Sequence, residues 1–302
     1  MLWSSGINIL LMLVLSPLLF GIINRTKAFF AGRRGQPLLQ TYYDLFKLFN
    51  KGVVYSRTTS WIFRAAPVIG FAAVCAAGFL IPFGSRPAVI SFSGDLVLFA
   101  YLLGLMRFLT VLAALDTGSS FEGMGASREV LFSALAEPAL LVALAAIAKL
   151  SGSLSLTEMF GKLDTTVWLS SGPILLLIAA AMLVVFLAEN ARIPVDDPNT
   201  HLELTMIHEV MVLDYSGPDF GLILYGTAVK MWVLGTILMS ILIPATGAVW
   251  LDTALMLMGL FGLAVVVGVI ESCMARLRMI SVPQLLIGAL TFSMLAFLLV
   301  LR

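Results

Sequence analysis

Long apolar segments alternate with shorter polar ones along the whole chain. Eight of the apolar segments have about 18 residues or more, the length that an α-helix needs to cross the hydrocarbon core of a bilayer. The apolar residues form continuous runs rather than short alternating stretches, which excludes an outer-membrane β-barrel. The predicted fold class is therefore all-α, a polytopic membrane protein in which residues 1–302 form a single integral membrane domain. The predicted transmembrane helices are residues 2–23, 65–83, 95–115, 129–150, 172–189, 220–244, 251–272 and 284–301.

The first long polar connection contains a further helical pattern. Between residues 37 and 51 large apolar side chains recur at the spacing of one helical face, and Pro37 suits the first turn. On the opposite face we predict an ion pair between Asp44 and Lys47, three residues apart. The pattern predicts an amphipathic helix at the boundary with lipid or with another subunit, and it favours anchoring and partner binding equally. Its apolar face comprises Leu38, Leu39, Tyr42, Leu45, Phe46 and Phe49.

Composition supports a membrane protein and excludes several other classes. Hydrophobic residues make up 60% of the chain and charged residues 12%, and the mean hydropathy is +1.04, outside the range of soluble globular proteins. The two cysteines, Cys75 and Cys273, lie outside any metal-binding spacing, so we predict no iron–sulfur or zinc site on this chain. The net charge of +1 gives no reason to expect a nucleic-acid partner. The sequence contains no phosphate-binding loop, dinucleotide fingerprint or nucleophile motif, so we expect no self-sufficient active site.

Lysines and arginines are distributed unevenly between the two sides of the predicted bundle. Twelve of the 18 lie in alternate connections, residues 24–64, 116–128, 190–219 and 273–283, and four lie on the other side. Because positively charged loops stay in the cytoplasm, this bias predicts a multi-pass protein of the inner (plasma) membrane, with its main loops cytoplasmic and both termini outside. The side predicted to be cytoplasmic also contains ten of the 17 acidic residues. Short loops so rich in both signs indicate a docking surface.

Acidic residues within or beside the apolar runs are the strongest candidates for function. Glu137 stands before Pro138 in the middle of the fourth predicted helix, and Glu189 ends the fifth. An ionised group at the centre of a membrane helix costs about 2.5–3.5 kcal/mol, so such residues usually face a wet cavity or a partner charge. We predict that both glutamates face the interior and that Arg128 joins them along one path for protons or ions. A purely structural ion pair is the alternative for Glu137.

Three more ionisable residues lie within the predicted helices or at their ends. Arg107 and Lys230 lie inside two of the helices, and Glu271 lies close to the end of another. We expect Arg276, which follows shortly after, to neutralise Glu271.

The two histidines are candidates for metal binding or for hydrogen bonding in a loop. His201 and His208 are seven residues apart, whereas metal-binding pairs on a helix are usually three or four apart. We therefore interpret both as solvated or hydrogen-bonded loop residues and predict no metal site.

Charged motifs occur in each connection on the side predicted to be cytoplasmic. GRRGQPLLQTYYDLFKL occupies residues 32–48, LDTGSSFEGMGASRE 115–129 and AENARIPVDD 188–197. DYSGPDFG follows at 214–221 and MARLR at 274–278. Together they resemble the subunit-H family of respiratory complex I and its relatives in formate hydrogenlyase, hydrogenase-4 and the energy-converting membrane hydrogenases. The resemblance covers nearly the whole chain, and the second and last motifs are similar to the hydrogenase branch.

Individual positions match the motifs of that family. Arg128 precedes Glu137 by nine residues, as in the family, and Glu203 with Leu204 follows Asp196 at the family's spacing of seven. These matches extend the resemblance into the membrane helices. The other matching positions are Arg33, Arg34, Gly35, Gln40, Asp44, Lys47, Glu189, Arg192 and Pro194.

The chain also departs from the family pattern. Gln36 stands where the family has proline, Asn199 and His201 stand where it commonly has acids, and the segment before DYSG is three residues longer. These departures favour a hydrogenase-type junction over the alternative, the quinone-site membrane subunit of a complex I-like NADH:quinone oxidoreductase. A stand-alone ion transporter is a third hypothesis, and the lack of inverted-repeat halves disfavours it.

The resemblance implies a subunit that joins a peripheral redox arm to an ion-translocating membrane arm. It implies a NiFe centre and iron–sulfur clusters on the large and small hydrogenase subunits, with antiporter-like subunits and lipid as membrane neighbours. Whether the translocated ion is H⁺ or Na⁺ stays open at this stage. The candidate residues for proton or ion coupling are Glu137, Glu189, Asp196, Glu203, Arg128 and Lys230. The candidates for docking of the peripheral arm are Arg33, Arg34, Asp44, Lys47 and Arg192.

Overall fold

The structure, a computed structural model, describes residues 2–196 and 206–302. Within these ranges the chain forms ten α-helices, and eight of them are long and apolar enough to cross a membrane. This confirms the predicted all-α, polytopic membrane fold with eight transmembrane helices. The helices are α1 Leu2–Phe30, α2 Gln40–Phe49, α3 Trp61–Phe79, α4 Asp95–Asp116, α5 Ser120–Ser151, α6 Leu156–Gly161, α7 Thr165–Glu189, α8 Gly217–Leu242, α9 Val249–Cys273 and α10 Ser281–Leu301.

Local capping determines where several helices begin and end. Ser60 precedes α3 and its Oγ accepts a hydrogen bond from the N–H of Ile62 at 3.2 Å. Asp164 precedes α7 and accepts from the N–H of Val167 at 2.9 Å, and side chains of both kinds are preferred at this position. Gly152 ends α5 with a left-handed φ of +68°, a conformation that glycine adopts at little cost.

Helix α8 forms the centre of the bundle. Every residue from Ala228 to Ile241 is buried, and α8 packs against α1, α2, α3, α7 and α9. A helix that is apolar around its whole circumference is expected to be surrounded by protein in this way. On one side of it, α5 packs against both α7 and α10. Lys230 of α8 is therefore placed among several other helices rather than against lipid.

The connections collect at two ends of the bundle. The polar end comprises residues 31–60, 117–119, 190–196, 206–216 and 274–280. These connections bond to one another: the N–H of Ser60 donates to Asp116 at 2.7 Å, and the N–H of Leu277 donates to the carbonyl of Pro194 at 3.0 Å. The aromatic ring of Tyr215 stacks on Phe63 with 3.9 Å between ring centroids. The polar end is thus a layer of interlinked loops and not a set of separate ones.

Helix α2 lies at the polar end and is shorter than the predicted 37–51 segment. Thr41 and Leu45 are buried, and α2 packs against α1 and α8. Its Asp44 accepts a hydrogen bond from Gln40 at 2.9 Å, so the predicted pair with Lys47 is wrong. The reason is the direction of the two side chains, because Asp44 lines an internal cavity whereas Lys47 is exposed. Five large side chains of this segment remain exposed: Leu38, Leu39, Tyr43, Phe46 and Phe49.

Candidate functional site

A single arginine joins three glutamates in the interior of the bundle. Arg107 of α4 donates through its terminal nitrogens to Glu137 of α5 and to Glu189 at the end of α7. Its Nε lies 3.4 Å from a carboxylate oxygen of Glu129, also on α5. Lys230 of α8 reaches the same Glu189, with 2.9 Å between Nζ and Oε2. We call these five residues the charge cluster.

The charge cluster is held in place by its own pairing. Glu129 and Glu137 are eight residues apart on α5, slightly more than two helical turns, so both face Arg107. Arg107 is 9% exposed and Glu189 is 6% exposed. Buried charges are tolerated when they are paired and hydrogen-bonded, whereas the loss of one partner leaves an uncompensated charge and is strongly destabilising.

Loop residues extend the charge cluster towards the polar end. His208 lies with its Nε2 at 3.3 Å from Glu129 and its Nδ1 at 3.9 Å from Asp196. Asp196 accepts from the backbone N–H of Ile207 at 3.3 Å and of His208 at 3.2 Å, and it pairs with Arg276 at 2.9 Å. Burial opposes ionisation of Asp196, but His208 and Arg276 outweigh it and hold the pKa of this carboxyl below its usual value.

Close packing fixes the segment that contains His208. Gly125 of α5 contacts this segment so closely that an added Cβ would lie 2.9 Å from the carbonyl oxygen of Ile207, which requires glycine there. Arg128 donates from its guanidinium to the carbonyl of Met206 at 3.0 Å and to the sulfur of Met124. Arg128 thus bonds the loop and the sulfur of Met124 and makes no hydrogen bond to Glu137 or Glu189 among the described residues, and its place on one path with them stays a prediction. Its side chain leaves α5 in another direction and holds the loop.

A separate ion pair group connects α1 with α9. Glu271 pairs with Lys27 at 2.8 Å and with Arg192 at 3.2 Å. The guanidinium of Arg192 also lies over the ring of Phe20, 4.8 Å from its centroid. Arg276, which was predicted to neutralise Glu271, pairs with Asp196 instead. Arg192 is 5% exposed and its side chain is used inside the chain, and the docking role proposed for it stays a prediction.

An internal cavity of about 330 Å³ lies against these groups at the polar end. Its apolar wall includes Phe20, Met106 and Phe220, and its volume is at the small end of the range for sites that bind small molecules. Four of the five residues of the charge cluster line it, and Glu137 does not. The charged residues that line the cavity are Asp44, Arg107, Glu129, Glu189, Arg192, Asp196, His208, Glu209 and Lys230.

Glu137 differs from the other members of the charge cluster. Its side chain is 46% exposed, although it bonds Arg107 and stands in the middle of α5. Glu137 was predicted to face the interior. Its carboxylate does contact Arg107 inside the bundle, but the rest of its side chain lies on the flank of the bundle. Glu189 is buried at the cavity, as predicted.

The remaining predicted residues lie at the surface or outside the described residues. Arg33, Arg34 and Lys47 are exposed at the polar end. Glu203 and His201 lie outside the described residues. Within residues 2–196 and 206–302, no group of three His, Cys, Asp or Glu side chains is arranged to hold a metal ion.

Sequence reasoning assigned no coupling role to three residues that the structure brings to the site. Arg107 is the one arginine inside a predicted membrane helix, and that position was a signal for a central role. Glu129 was interpreted as the start of a helix and His208 as a loop residue. Nothing in the sequence around either residue indicates that the two side chains contact each other. Their contact follows only from the folding of the 206–212 segment against α5.

Eight membrane-length helices around a charge cluster, with a cavity at one end, define a polytopic membrane protein whose interior is built to hold ionised groups. A sequence profile of the NADH dehydrogenase family matches residues 5–301. The chain therefore belongs to this family, which confirms the family resemblance found in its motifs.

Named relatives and a solved structure agree with this assignment. The chain is 29% identical to formate hydrogenlyase subunit 4 of Escherichia coli (strain K12) over 298 residues, covering 96% of each chain. It is 31% identical to hydrogenase-4 component C of the same organism over 250 residues, 83% of this chain and 78% of the relative. A chain in the structure of the membrane-bound sulfane sulfur reductase, an archaeal respiratory membrane complex, aligns with a TM-score of 0.82, 19% identity and coverage of 99% and 98%. That similarity shows the shared fold alone.

Proposed function

We propose that this chain is the membrane-anchoring and coupling subunit of a membrane-bound NiFe hydrogenase complex of the formate hydrogenlyase or hydrogenase-4 type. It links redox chemistry to proton or ion translocation across the inner membrane, and it acts as a single membrane domain with the polar end in the cytoplasm. The names of the two relatives support this role, since each is similar to this chain over most of its own length.

One observation carries the proposal: Arg107 connects carboxylates that line the cavity with a carboxylate that reaches the flank of the bundle. Glu129 and Glu189 are on the cavity side, and Glu137 is on the flank. A change of charge in the cavity acts on all three through one guanidinium, because interactions between buried charges are weakly screened. The arrangement suits a subunit that converts a charge change at one place into proton or ion movement at another.

The exposed part of Glu137 supports a proposal for the position of a membrane partner. A carboxylate in the hydrocarbon region costs about 2.5–3.5 kcal/mol, so it is expected to meet water or a polar group of another subunit. We propose that an antiporter-like membrane subunit covers this flank of α4 and α5. Leu141, one helical turn further along α5, is exposed on the same face.

The polar end is the proposed contact with the peripheral arm. Arg33, Arg34 and Lys47 are exposed there, and Asp44 connects α2 with the cavity. We propose that the large and small hydrogenase subunits bind this surface and hold the NiFe centre and the iron–sulfur clusters. The chain itself then supplies the charge cluster beneath them.

The cavity is the observation that favours the alternative function. Its mixture of apolar walls and convergent polar groups is of the kind that binds a small ligand, and a complex I-like subunit would place a quinone there. Turnover that depends on added quinone distinguishes this alternative from the hydrogenase function. The relatives named above favour the hydrogenase function.

Purification through a tag on this chain tests the proposed function. We expect the detergent-extracted complex to contain hydrogenase large and small subunits in equal amounts with the tagged chain, together with nickel and iron. Mass spectrometry of the intact complex and metal analysis measure these quantities, and an untagged strain is the control. Recovery of the chain without redox subunits contradicts the proposal and favours a stand-alone transporter.

Charge reversal at the polar end tests the docking surface. Arg33→Glu with Arg34→Glu is expected to release most of the soluble hydrogenase subunits from the membrane, because two cations on the exposed contact become two anions. Sedimentation of membranes followed by quantification of each subunit measures the effect. The matched control reverses Lys149 and Lys162, two exposed lysines at the opposite end of the bundle. Subunits that stay bound in normal amounts after a salt wash contradict this docking surface.

A further inference from the structure

His208 occupies the contact between the cavity and the charge cluster. One ring nitrogen lies 3.3 Å from Glu129 and the other 3.9 Å from Asp196, so the imidazole bridges α5 and the loop after α7. Both His208 and Glu129 line the cavity, but the side chain of His208 is 29% exposed and that of Glu129 is 8% exposed. Among the described residues that line the cavity and contact a buried carboxylate, His208 is the one whose ordinary pKa lies near neutral pH.

The charges around His208 are unequal in number. Among the ion pairs that link the described residues to the charge cluster and to Asp196, carboxylates outnumber permanent cations by one, and a protonated His208 makes the two signs equal. Asp44, Glu209 and Arg192 line the same cavity, and Arg192 is paired with Glu271. The linked carboxylates are Glu129, Glu137, Glu189 and Asp196, and the permanent cations are Arg107, Lys230 and Arg276.

We propose that His208 is the proton-transfer residue that exchanges protons between the cavity and Glu129, and so sets the charge of the cluster. This proposal deepens the coupling role and rests on it for its physiological meaning. Neutral His208 takes up one proton at Nδ1, the ring nitrogen on the side of Asp196, which also lines the cavity. It then releases the Nε2 proton to Glu129, which leaves a neutral imidazole and a neutral carboxyl group. The charge of Glu129 opposite Arg107 changes by one unit in this step.

The groups packed around His208 act on its protonation in opposite directions. Burial and Lys230 of α8 disfavour the imidazolium, whereas Glu129 and Asp196 favour it strongly enough to hold the pKa of His208 above its usual value of 6.5. A raised pKa in the folded protein means that the charged imidazole contributes stability below pH 6.5, and that this contribution is lost as the pH rises through the raised pKa. A decrease in the nearby negative charge therefore favours release of the proton from the imidazole.

Hydrogen–deuterium exchange at the imidazole C2 position measures this protonation in the intact complex, because the exchange rate follows the protonation of each histidine. We expect mass spectrometry of the peptide that contains His208 to give a midpoint above 6.5. Glu129→Gln is expected to lower that midpoint by about one unit, the lower end of the effect of one neighbouring charge. Glu158→Gln, an exposed acid at the opposite end, is the control and is expected to leave it unchanged. A midpoint at or below 6.5, or one that Glu129→Gln does not move, overturns the proposal.

A second measurement uses activity and separates this proposal from the proposed function. His208→Gln keeps hydrogen bonding but cannot carry a proton, so we expect the ratio of ions moved to hydrogen formed to fall and to lose its pH dependence. An unchanged ratio and pH profile in the assembled variant overturns the role of His208. If the wild-type complex forms hydrogen without any ion gradient, the proposed function fails, and the exchange midpoints still decide whether His208 is protonated as proposed.

Discussion

Arg107→Ala is expected to prevent the folded chain from accumulating in the membrane. The substitution removes the cation that contacts Glu129, Glu137 and Glu189 and leaves buried carboxylates without it. Breaking a buried ion pair from one side costs about 3–5 kcal/mol. Since the net stability of a protein is about 5–15 kcal/mol, this loss is a large part of the total. The amount of chain in the membrane and its thermal aggregation in detergent measure the effect.

A control and a partial rescue make this first result specific. Arg278→Ala removes an exposed arginine at the same end of the bundle and is expected to change stability by less than about 0.5 kcal/mol. Adding Glu129→Gln to Arg107→Ala removes one of the carboxylates that lost its partner, so part of the wild-type level is expected to return. A normal level of Arg107→Ala alone would show that the carboxylates do not depend on this arginine.

Glu137→Gln is expected to have the largest effect on coupling. Glutamine keeps the size of the side chain and still accepts a hydrogen bond from Arg107, so the complex is expected to assemble. It cannot take up a proton, and it removes the charge that faces the proposed membrane partner. Hydrogen formation is expected to continue at a reduced rate, while most of the accompanying ion gradient is lost. Simultaneous measurement of hydrogen and of the gradient in membrane vesicles checks this.

Two further variants limit the interpretation of the Glu137 result. Glu158→Gln makes the same chemical change at an exposed site at the opposite end and is expected to alter neither quantity. Arg128→Ala is expected to act weakly, because Arg128 bonds the carbonyl of Met206 and not Glu137. An assembled Glu137→Gln complex with normal hydrogen output and a normal gradient would show that Glu137 is only a structural partner of Arg107.

The length of the apolar runs was enough to predict the membrane helices. The predicted and observed helices correspond one to one, because crossing a bilayer requires about 20 apolar residues whatever surrounds them. Helix ends were less predictable: α1 continues to Phe30 and α5 begins at Ser120, since polar residues are tolerated where a helix leaves the membrane. The six-residue α6 was missed because it is too short to show the helical spacing of apolar residues. Its side chains Leu156 and Met159 are nevertheless buried.

The candidate site was predictable at single residues but not as a set of contacts. Glu189 was identified because an acid behind an apolar run is costly in any membrane helix. Its partner Arg107 lies 82 residues earlier, and no local pattern specifies which helices become neighbours. The wrong pairings, Asp44 with Lys47 and Glu271 with Arg276, both assumed that the nearest opposite charge in sequence is the partner. In a bundle of long helices the nearest charge in space often comes from another helix.

The short connection between α4 and α5 has a consequence for how the chain enters the membrane during synthesis. Three residues, 117–119, separate the helix of Arg107 from the helix of Glu137. As the nascent chain leaves the ribosome, α4 alone would carry an unneutralised arginine into lipid at a cost of about 2.5–3.5 kcal/mol. Because α5 follows at once, the two helices can leave the translocon together as a hairpin with the Arg107–Glu137 pair already formed. Glu189 and Lys230 then arrive as a second pair, on α7 and α8, and complete a site whose arginine already has its partner.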